Sequence, residues 1–342
     1  MQAVVYEQYG ELPTVREVAD PACPDDGAVV AVRTTGVCRS DWHAWRGHDP
    51  VPLPQVPGHE FAGVIARIGS AVTGFRVGER VTAPFVQGCG RCEYCVSGNA
   101  QVCPEQHQPG FTGPGSFAEQ VVVRSAETNL VRLPDAVGFV AASALGCRFA
   151  TAFRAVTVHG RVTSGQWLAV YGCGGVGLSA VLIGVAVGAR VIAVDAQPAA
   201  RERARQLGAA HILDTSAGID HTVHEITAGG AHTTLDAVGS PGIAATAVRS
   251  LRRRGRHVQV GLLLGDQAMT ALPMDQVIAH ELEIYGSHGM AAVDYPALLQ
   301  LIGSGVLRPE KLVGSIIGLD RAGAAIAAMD SGTSDGITVI EL

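Results

Sequence analysis

The sequence lacks any long hydrophobic run and any concentration of basic charge. Its longest apolar stretch, residues 176–187, contains Gly184 and is too short to cross a bilayer. The formal net charge is −6 over 342 residues, with no stripe of Lys and Arg that would neutralise a phosphate backbone. We therefore expect neither a membrane span nor a nucleic-acid partner, and we interpret Arg252, Arg253 and Arg254 as a solvated helix end.

Aromatic residues are scarce, at 5% of the chain, and the N-terminus lacks the charged and apolar regions of a secretory leader. Glycine, by contrast, is abundant, with 43 residues, and 47% of the chain is apolar, which is typical of an α/β protein with many tight turns. A chain of 342 residues is too long for one core, so two domains are expected. Without a leader we expect a cytoplasmic protein, where clustered cysteines bind metal more often than they pair.

The hydrophobic pattern changes after about residue 148. Before that point, short β-branched runs separated by Gly, Pro and Asp predict an irregular, largely antiparallel β domain. Afterwards, apolar strands alternate with helical stretches, which predicts a doubly wound parallel sheet. The last segment, about residues 289–342, is too small to fold alone and is expected to pack on the first domain. The predicted strands of the sheet are residues 167–171, 190–195, 211–213, 233–237, 256–261 and 283–287.

Four cysteines lie within fifteen residues in the pattern C-x2-C-x2-C-x7-C, with glycines between them. Such thiolates can converge tetrahedrally on Zn²⁺. Disulfides are the alternative, but two-residue spacings strain a bridge and the expected compartment is reducing. A site of four thiolates leaves no open position, so it predicts a structural zinc that stabilises a glycine-rich lobe. The predicted ligands are Cys89, Cys92, Cys95 and Cys103.

A glycine-rich loop, Gly-Cys-Gly-Gly-Val-Gly, joins a predicted strand to a predicted helix at residues 172–177. Gly172 allows the tight turn, Gly174 lets the backbone approach a pyrophosphate, and Gly177 lets the helix pack closely on the strand. The pyrophosphate is expected at the helix N-terminus, where free N–H groups favour negative charge. Alone, this pattern is weak in a glycine-rich chain.

The second strand of the same unit ends in Asp195, eighteen residues beyond the last glycine of the loop. A carboxylate at this place is expected to bind both ribose hydroxyls of a dinucleotide. It would repel a 2′-phosphate, and Ala196 and Gln197 supply no compensating charge, so NAD is favoured over NADP. Arg201 and Arg203 lie at the start of the next helix, and a contact between one of them and such a phosphate remains an alternative.

Cys38, His59 and Cys147 are far apart in the sequence, yet together they form a set of three ligands with a vacant fourth position. Two thiolates and a neutral imidazole roughly cancel the charge of Zn²⁺, which stays Lewis-acidic enough to lower the pKa of a bound alcohol. Each residue alone is more typical of a core cysteine or a structural histidine. The prediction of a catalytic zinc depends on their joint occurrence.

These motifs resemble the zinc-dependent alcohol dehydrogenases of the medium-chain dehydrogenase/reductase family. Cys38-Arg39-Ser40-Asp41, Gly58-His59-Glu60, the cysteine lobe, Cys147 and the nucleotide loop occur in that family's order and spacing along essentially the whole chain. The resemblance implies a GroES-like, β-rich catalytic domain at residues 1–148 and 289–342, with a zinc lobe at about 88–104. It implies a Rossmann NAD-binding domain at residues 149–288.

The resemblance also implies roles for individual residues around the catalytic zinc. Cys38, His59 and Cys147 are its implied ligands, and Asp41 is implied to accept the second ring N–H of His59 and fix its tautomer. Glu60 matches a conditional ligand of the family, although a solvated or arginine-paired carboxylate remains the alternative.

Ser40 matches the hydroxyl that accepts the substrate's proton, and His43 the imidazole that passes the proton to solvent. The alternative is that His43 and the nearby His48 are surface histidines. Phe85 and Trp42 are implied to line the substrate pocket, although aromatics there are equally compatible with ordinary packing. The implied cofactor contacts are Arg39, Thr151, Gly172, Gly174, Gly175, Val176, Gly177, Asp195, Arg201, Gly261 and Leu262.

The chain departs from the family at two basic positions. Ala200 stands where a lysine often follows the strand-end acid, and Ile337 stands where many members carry a second phosphate-binding arginine. The loss of both groups predicts weaker NAD binding and faster cofactor release.

The implied function is reversible oxidation of a primary or secondary alcohol to an aldehyde or ketone, with hydride transfer to NAD and two zinc ions per chain. The expected partners are a small-molecule alcohol or carbonyl substrate and further copies of the chain, in a homodimer or homotetramer. Polyol or threonine-type oxidation is an alternative, against which Cys147 argues because polyol members tend to replace this thiolate with a carboxylate. A non-catalytic zinc- and NAD-binding sensor is another, and the Ser40–His43 pair argues against it.

Overall fold

The structure, a computed structural model, describes residues 1–331 and 336–342. These residues form two compact units, Met1–Ala150 with Gly289–Leu342 and Thr151–His288. The boundary predicted from the sequence, after residue 148, falls two residues earlier. It lies inside a helical segment at residues 145–159 that is continuous along the chain.

The first unit begins with short strands and short helices, because its β-branched runs are interrupted every few residues by Gly, Pro or Asp. Its first strands are β1 (Gln2–Val5), β2 (Thr14–Glu17), β3 (Ala28–Val37), β4 (Glu60–Ile68), β5 (Arg80–Thr82), β6 (Gln120–Val123) and β7 (Val131–Arg132). The helices between them are α1 (Arg39–Trp45), α2 (Glu93–Val96), α3 (Ala126–Asn129) and α4 (Phe139–Ser143).

The second unit alternates strands and helices, because its central apolar strands are buried on both faces and its glycines form the turns between elements. Helix α5 (Ala150–Arg154) leads into the unit. The strands are β8 (Trp167–Tyr171), β9 (Arg190–Val194), β10 (His211–Leu213), β11 (Ala231–Asp236), β12 (Leu251–Gln259) and β13 (Glu283–Gly286). The helices are α6 (Gly175–Ala186), α7 (Pro198–Gln206), α8 (Ile219–Thr227), α9 (Pro241–Arg249) and α10 (Met274–Ala279).

The strands of the second unit form one parallel sheet in the order β10-β9-β8-β11-β12-β13. The order reverses between β8 and β11, so the carboxyl ends of these two strands form the crevice where such sheets bind ligands. The predicted doubly wound parallel sheet is therefore confirmed.

The interpretation of the arginine triplet as a helix end is wrong. Helix α9 ends at Arg249, and the triplet lies in the first part of β12, where the pairing with β11 shifts register between Leu251 and Arg256. Arg254 has a positive φ of 60°. The extra residues of this irregular strand start leave all three arginine side chains exposed, which is why the local pattern resembled a solvated end.

The C-terminal segment returns to the first unit and completes its sheet. Its elements are α11 (Tyr295–Gly303), β14 (Val313–Gly318), α12 (Ala322–Ala328) and β15 (Ile337–Glu341). Strand β15 pairs antiparallel with β3, which gives a seven-stranded sheet in the order β14-β15-β3-β4-β5-β7, with β6 also on β3. Within the described ranges, no helix is long and apolar enough to cross a membrane.

Candidate functional site

A buried group of metal-binding side chains lies at one end of the β3–β4 pair. Gly36 of β3 is opposite Glu60 of β4, so Cys38 and His59, just outside the two strands, are brought to the same edge. Cys147 comes from a π-helical turn at Leu145–Phe149. The donor atoms of Cys38, His59, Glu60 and Cys147 all lie within 4.8 Å of one another. The structure thus brings together the predicted ligands of the open site.

The orientation of the His59 ring is fixed by Asp41. The carboxylate Oδ1 of Asp41 accepts from Nδ1 of His59 at 2.9 Å, and the same group accepts the backbone N–H groups of Cys38 and Gly58. The other ring nitrogen, Nε2, is buried and has no hydrogen-bond partner among the residues that the structure describes. An unsatisfied buried polar atom costs about 1–3 kcal/mol. A cation that accepts the Nε2 lone pair removes this cost, so the donor set fits a metal ion.

The pKa values of the two thiols at this site shift in opposite directions. Their hydrogen bond lowers the pKa of Cys38 well below its ordinary value, despite burial, and raises the pKa of Cys147. A bound divalent cation would displace the remaining proton, because thiolate is the form that binds zinc.

Glu60 is paired with an arginine, which is one of the alternatives left open by its sequence. Oε1 of Glu60 accepts the backbone N–H and Nε–H of Arg148, each at 3.0 Å, and Oε2 accepts Nη2–H. Burial raises the pKa of Glu60, and the charge of Arg148 partly offsets this. Arg148 was not identified from the sequence, although its signal is a single charge within the apolar stretch at residues 144–153.

Ser40 and His43 lie on α1, immediately after Cys38. The Ser40 hydroxyl oxygen is 3.8 Å from the Cys38 sulfur. The ring of His43 is half-buried, and its Nδ1 lies 3.3 Å from Nδ1 of His48. Burial, and then the charges of His48 and Arg39, lower the pKa of His43 and favour its neutral form.

Arg39 and Trp42 contact the segment that follows α12. Nη1–H of Arg39 donates to the Met329 carbonyl at 2.8 Å, and Nε1–H of Trp42 donates to Oδ1 of Asp330 at 2.7 Å. The guanidinium of Arg39 also lies 4.8 Å from the centre of the Trp42 ring. The predicted pyrophosphate contact and pocket residue therefore have protein partners within the first unit.

Two phenylalanines surround the His59 ring. The ring of Phe85 lies 6.1 Å from it and that of Phe111 lies 5.1 Å from it, both edge to face. Phe111, which sequence reasoning missed, follows Gly110, a residue with a positive φ of 81°. Its position depends on this turn, and a loop of this kind leaves no periodic pattern in the sequence.

The four clustered cysteines converge at a second group of donor atoms. Their sulfurs lie within 4.8 Å of one another, and all four thiols are free rather than paired in disulfides. Backbone N–H groups of Arg91 and Cys92 lower the pKa of Cys89 to about 7, which favours the thiolate. A Cβ on Gly88 would lie 2.6 Å from the Cys95 sulfur, so glycine is needed for this approach. The donor set fits a closed zinc site.

The glycine loop of the second unit has a separate reason for each of its main glycines. Gly172 has a positive φ of 90°, and a Cβ on Gly177 would lie 1.7 Å from the Gly172 carbonyl oxygen. Gly174, at the N-terminus of α6, has nothing within 4 Å of its Cβ position. Gly175 and Val176 form the first turn of α6. The empty space at Gly174 therefore lets a phosphate approach the backbone N–H groups at the start of this helix, so the loop fits a dinucleotide.

The strand-end acid lies beside this loop. Oδ2 of Asp195 accepts the backbone N–H of Cys173 at 2.6 Å, and Oδ1 accepts that of Gln197 at 2.7 Å. Nη1–H of Arg201 donates to the carbonyls of Asp195 and Ala196, at 2.7 and 3.0 Å, which keeps a guanidinium next to the acid.

The other residues that the sequence analysis related to cofactor binding differ in their exposure and position. Gly261 lies just after β12, with its Cβ position 2.2 Å from the Gly239 nitrogen, and Leu262 beside it is exposed. Thr151 is buried in α5. Ile337 is buried in β15, where it faces Val313, and so offers no charge to a phosphate.

The chain is similar to known proteins in both of its units. The model of the alcohol dehydrogenase GroES-like domain matches residues 24–135, and that of the zinc-binding dehydrogenases matches residues 175–304. An alcohol dehydrogenase of Geobacillus stearothermophilus is 34% identical over 311 residues, 90% of either chain. A sorbitol dehydrogenase of Halalkalibacterium halodurans is 32% identical over 92% of this chain and 91% of its own. The structure of an alcohol dehydrogenase from Thermus sp. ATN1 superposes with a TM-score of 0.91 at 29% identity, over 100% of this chain and 99% of that one.

Proposed function

The chain belongs to the zinc-dependent alcohol dehydrogenases. We therefore propose that it oxidises a primary or secondary alcohol reversibly to an aldehyde or ketone, with hydride transfer to NAD. The observation that carries the proposal is the donor set of Cys38, His59 and Cys147, with an unpartnered and buried Nε2. Zinc, when bound, supplies a Lewis acid that lowers the pKa of the substrate hydroxyl.

Each protein group near this set has a task in the proposed reaction. Asp41 holds His59 in the tautomer whose Nε2 faces the thiols. Ser40 accepts the proton of the substrate hydroxyl, and His43, neutral because of its lowered pKa, passes the proton to solvent. Phe85 and Phe111 supply an apolar wall beside His59 that suits the carbon chain of an alcohol. Oxidation releases one proton by this route and delivers one hydride to the nicotinamide.

A simple alcohol is favoured over a polyol, because the third ligand, Cys147, is a thiolate and polyol members of the family tend to have a carboxylate there. The sorbitol dehydrogenase relative keeps polyol oxidation as the second candidate. Initial rates with ethanol, benzyl alcohol, a secondary alcohol and sorbitol distinguish the two. Preference for sorbitol would overturn the choice.

The proposed cofactor is NAD rather than NADP. The Asp195 carboxylate beside the glycine loop repels a 2′-phosphate, and the Arg201 guanidinium is already bonded to two backbone carbonyls. We expect a KM for NAD well below that for NADP. An Asp195→Ala variant should narrow the difference.

We further propose that the chain forms a homo-oligomer through the second unit. Among the described residues, β13 pairs on one side only, with β12. Exposed apolar side chains lie on and before this strand, among them Ile278, exposed by 75%, and Ile284, exposed by 37%. Edge strands with apolar surface favour pairing with another chain. Light scattering should give a dimer or tetramer, and Ile278→Glu should lower the mass toward that of one chain.

The eight free cysteines support a proposed location in a reducing compartment, the cytoplasm. Fractionation of cells that express the tagged chain tests this.

The central test is removal of one ligand of the open site. Cys38→Ser should abolish oxidation of ethanol and benzyl alcohol, halve the zinc content and leave NAD binding largely intact. Cys23→Ser is the matched control, because Cys23 belongs to neither set of donor atoms. Undiminished turnover in Cys38→Ser would overturn the proposal.

A further inference from the structure

Glu60 lies close enough to the open site to become a fourth ligand. A carboxylate oxygen of Glu60 lies within 4.8 Å of the donor atoms of Cys38, His59 and Cys147, and its side chain is fully buried. A zinc site of two thiolates, an imidazole and a carboxylate would be closed in tetrahedral geometry and would have no position for a substrate. The site therefore needs something that keeps this carboxylate occupied.

Arg148 engages both oxygens of that carboxylate. Its backbone N–H and Nε–H donate to Oε1, each at 3.0 Å, and its Nη2–H donates to Oε2. Such two-point pairing of a guanidinium with a carboxylate is the strongest and most directional form of the ion pair. Arg148 is 6% exposed, so water does not compete for Glu60.

Two glycines make room for the pair. A Cβ on Gly36 would lie 2.5 Å from Oε2 of Glu60 and 3.0 Å from Nη2 of Arg148, and a Cβ on Gly146 would lie 2.9 Å from Cα of Glu60. Neither glycine has a positive φ, so the backbone conformation does not require it. The position of Gly36 requires space for the Glu60–Arg148 pair itself, and that of Gly146 requires space for the backbone of Glu60.

The pair also determines the charge around a bound metal. With Arg148 offsetting Glu60, two thiolates remain to balance Zn²⁺. Without Arg148, a third anion faces the cation, and added negative charge at the metal weakens its pull on a bound hydroxyl.

Resting on the proposed function, we propose that Arg148 is a positioning residue of the open site: it holds Glu60 in a two-point ion pair and so keeps the fourth coordination position free for the alcohol. Arg148 follows Cys147 in the same π-helical turn, and its backbone N–H also bonds Glu60. The third ligand and the restraint on Glu60 are therefore placed by one local structure.

The test compares Arg148→Gln with the double variant Arg148→Gln/Glu60→Gln in the full chain. In the single variant Glu60 is free, so we expect zinc to bind the open site more tightly, by about tenfold in competition with a chelator. X-ray absorption at the zinc edge should show an added oxygen ligand, and kcat/KM should fall.

The double variant cannot supply a carboxylate, and its zinc affinity should return to within about threefold of the parent value. Cys38→Ser, which retains the lobe ion, gives the baseline for both zinc measurements.

Arg148→Lys is the second variant, in case the uncompensated Glu60 charge prevents Arg148→Gln from folding. Lysine keeps the positive charge but lacks the planar fork that engages both oxygens, so an added oxygen ligand is expected here as well. Unchanged zinc affinity and unchanged oxygen coordination in a folded single variant would overturn the proposal, whatever its activity. Neither zinc measurement depends on turnover, so a chain without dehydrogenase activity would contradict the proposed function and leave this test intact.

Discussion

His43 is a half-buried base whose pKa depends on burial and on the charges of its neighbours. Its Nδ1 lies 3.3 Å from that of His48, and Trp42 packs against both rings. Burial is the largest influence on the pKa of His43, and the positive charges of His48 and Arg39 lower it further. A base with a lowered pKa remains neutral, and able to accept a proton, at a lower pH than a free imidazole.

Removal of His48 should therefore raise the pH below which the enzyme loses activity. In His48→Ala the repulsion is lost, the pKa of His43 rises, and the acid limb of kcat/KM should move to higher pH. His43→Ala should instead lose activity mainly at low pH, where solvent is a poor base. His211→Ala, on exposed strand β10, is the control. An acid limb that stays in place in His48→Ala would show that His43 does not receive the proton.

Individual residues of the metal site were predictable where chemistry restricts the residue type. Cysteine and histidine in ligand positions have few other uses, so the sequence identified the members of both cysteine clusters. Arg148 and Phe111 were not found because an arginine or a phenylalanine is compatible with many environments. Their roles depend on which loop meets which strand, and only the fold determines that.

At the scale of elements, two glycines in the turn from β8 to α6 are needed for different reasons. Gly177→Ala places a Cβ where the Gly172 carbonyl oxygen lies, at 1.7 Å, so β8 and α6 must move apart. Gly174→Ala meets nothing within 4 Å. The first change therefore affects the packing of α6 on β8, and the second affects the space through which a pyrophosphate approaches the backbone.

We expect the two variants to fail in different ways. Gly177→Ala should lower the free energy of unfolding by about 1–3 kcal/mol, as overpacking typically does, and weaken NAD binding as a consequence. Gly174→Ala should unfold at the parent temperature but raise the Kd for NAD, because its methyl group occupies the approach of the pyrophosphate. Calorimetry and NADH fluorescence titration separate the effects. Unchanged NAD affinity in Gly174→Ala would contradict the assignment of this loop.

The strands of the second unit were predictable to within a few residues because buried parallel strands are continuous apolar runs. The start of β12 was not, since Arg252, Arg253 and Arg254 carry no apolar signal and lie where the pairing with β11 shifts register, between Leu251 and Arg256. The first unit is harder to predict at this scale. Its strands β5 and β7 span three and two residues and acquire their places only from pairing with β4 and with each other.

At the scale of the whole molecule, both units use the ends of their strands for chemistry. In the first unit Cys38 and His59 lie just outside β3 and β4, and in the second the glycine loop and Asp195 follow β8 and β9. Within each sheet, strand pairing fixes these ends relative to one another. The order of the motifs along the sequence therefore predicts which unit holds each set of residues.

The same distribution of buried groups predicts how the stability of the molecule responds to acid. Burial, together with the charge of Arg124, lowers the pKa of His107 to about 4, and burial also lowers the pKa of His257. Below about pH 6.5 the unfolded chain protonates these rings while the folded chain does not, so the free energy of unfolding falls as the pH falls. Asp330 acts at lower pH: the hydrogen bond from Arg46 lowers the pKa of this carboxylate, and its contribution is lost only below about pH 4.

Urea unfolding of the chain at pH 7, 6 and 5 should therefore show a progressive loss of stability. His107 accounts for at most about 2 kcal/mol of the loss between pH 7 and pH 5, because only the part of its pKa shift that lies above pH 5 contributes there, and the partial exposure of the ring lowers this figure further. His107→Gln keeps a polar partner for the Thr112 hydroxyl, 2.8 Å from Nδ1, and removes the titration. The slope of stability against pH should flatten in this variant but not in His221→Gln, which changes an exposed ring on α8. Equal slopes in the two variants would mean that the histidine rings are already accessible to protons in the folded chain.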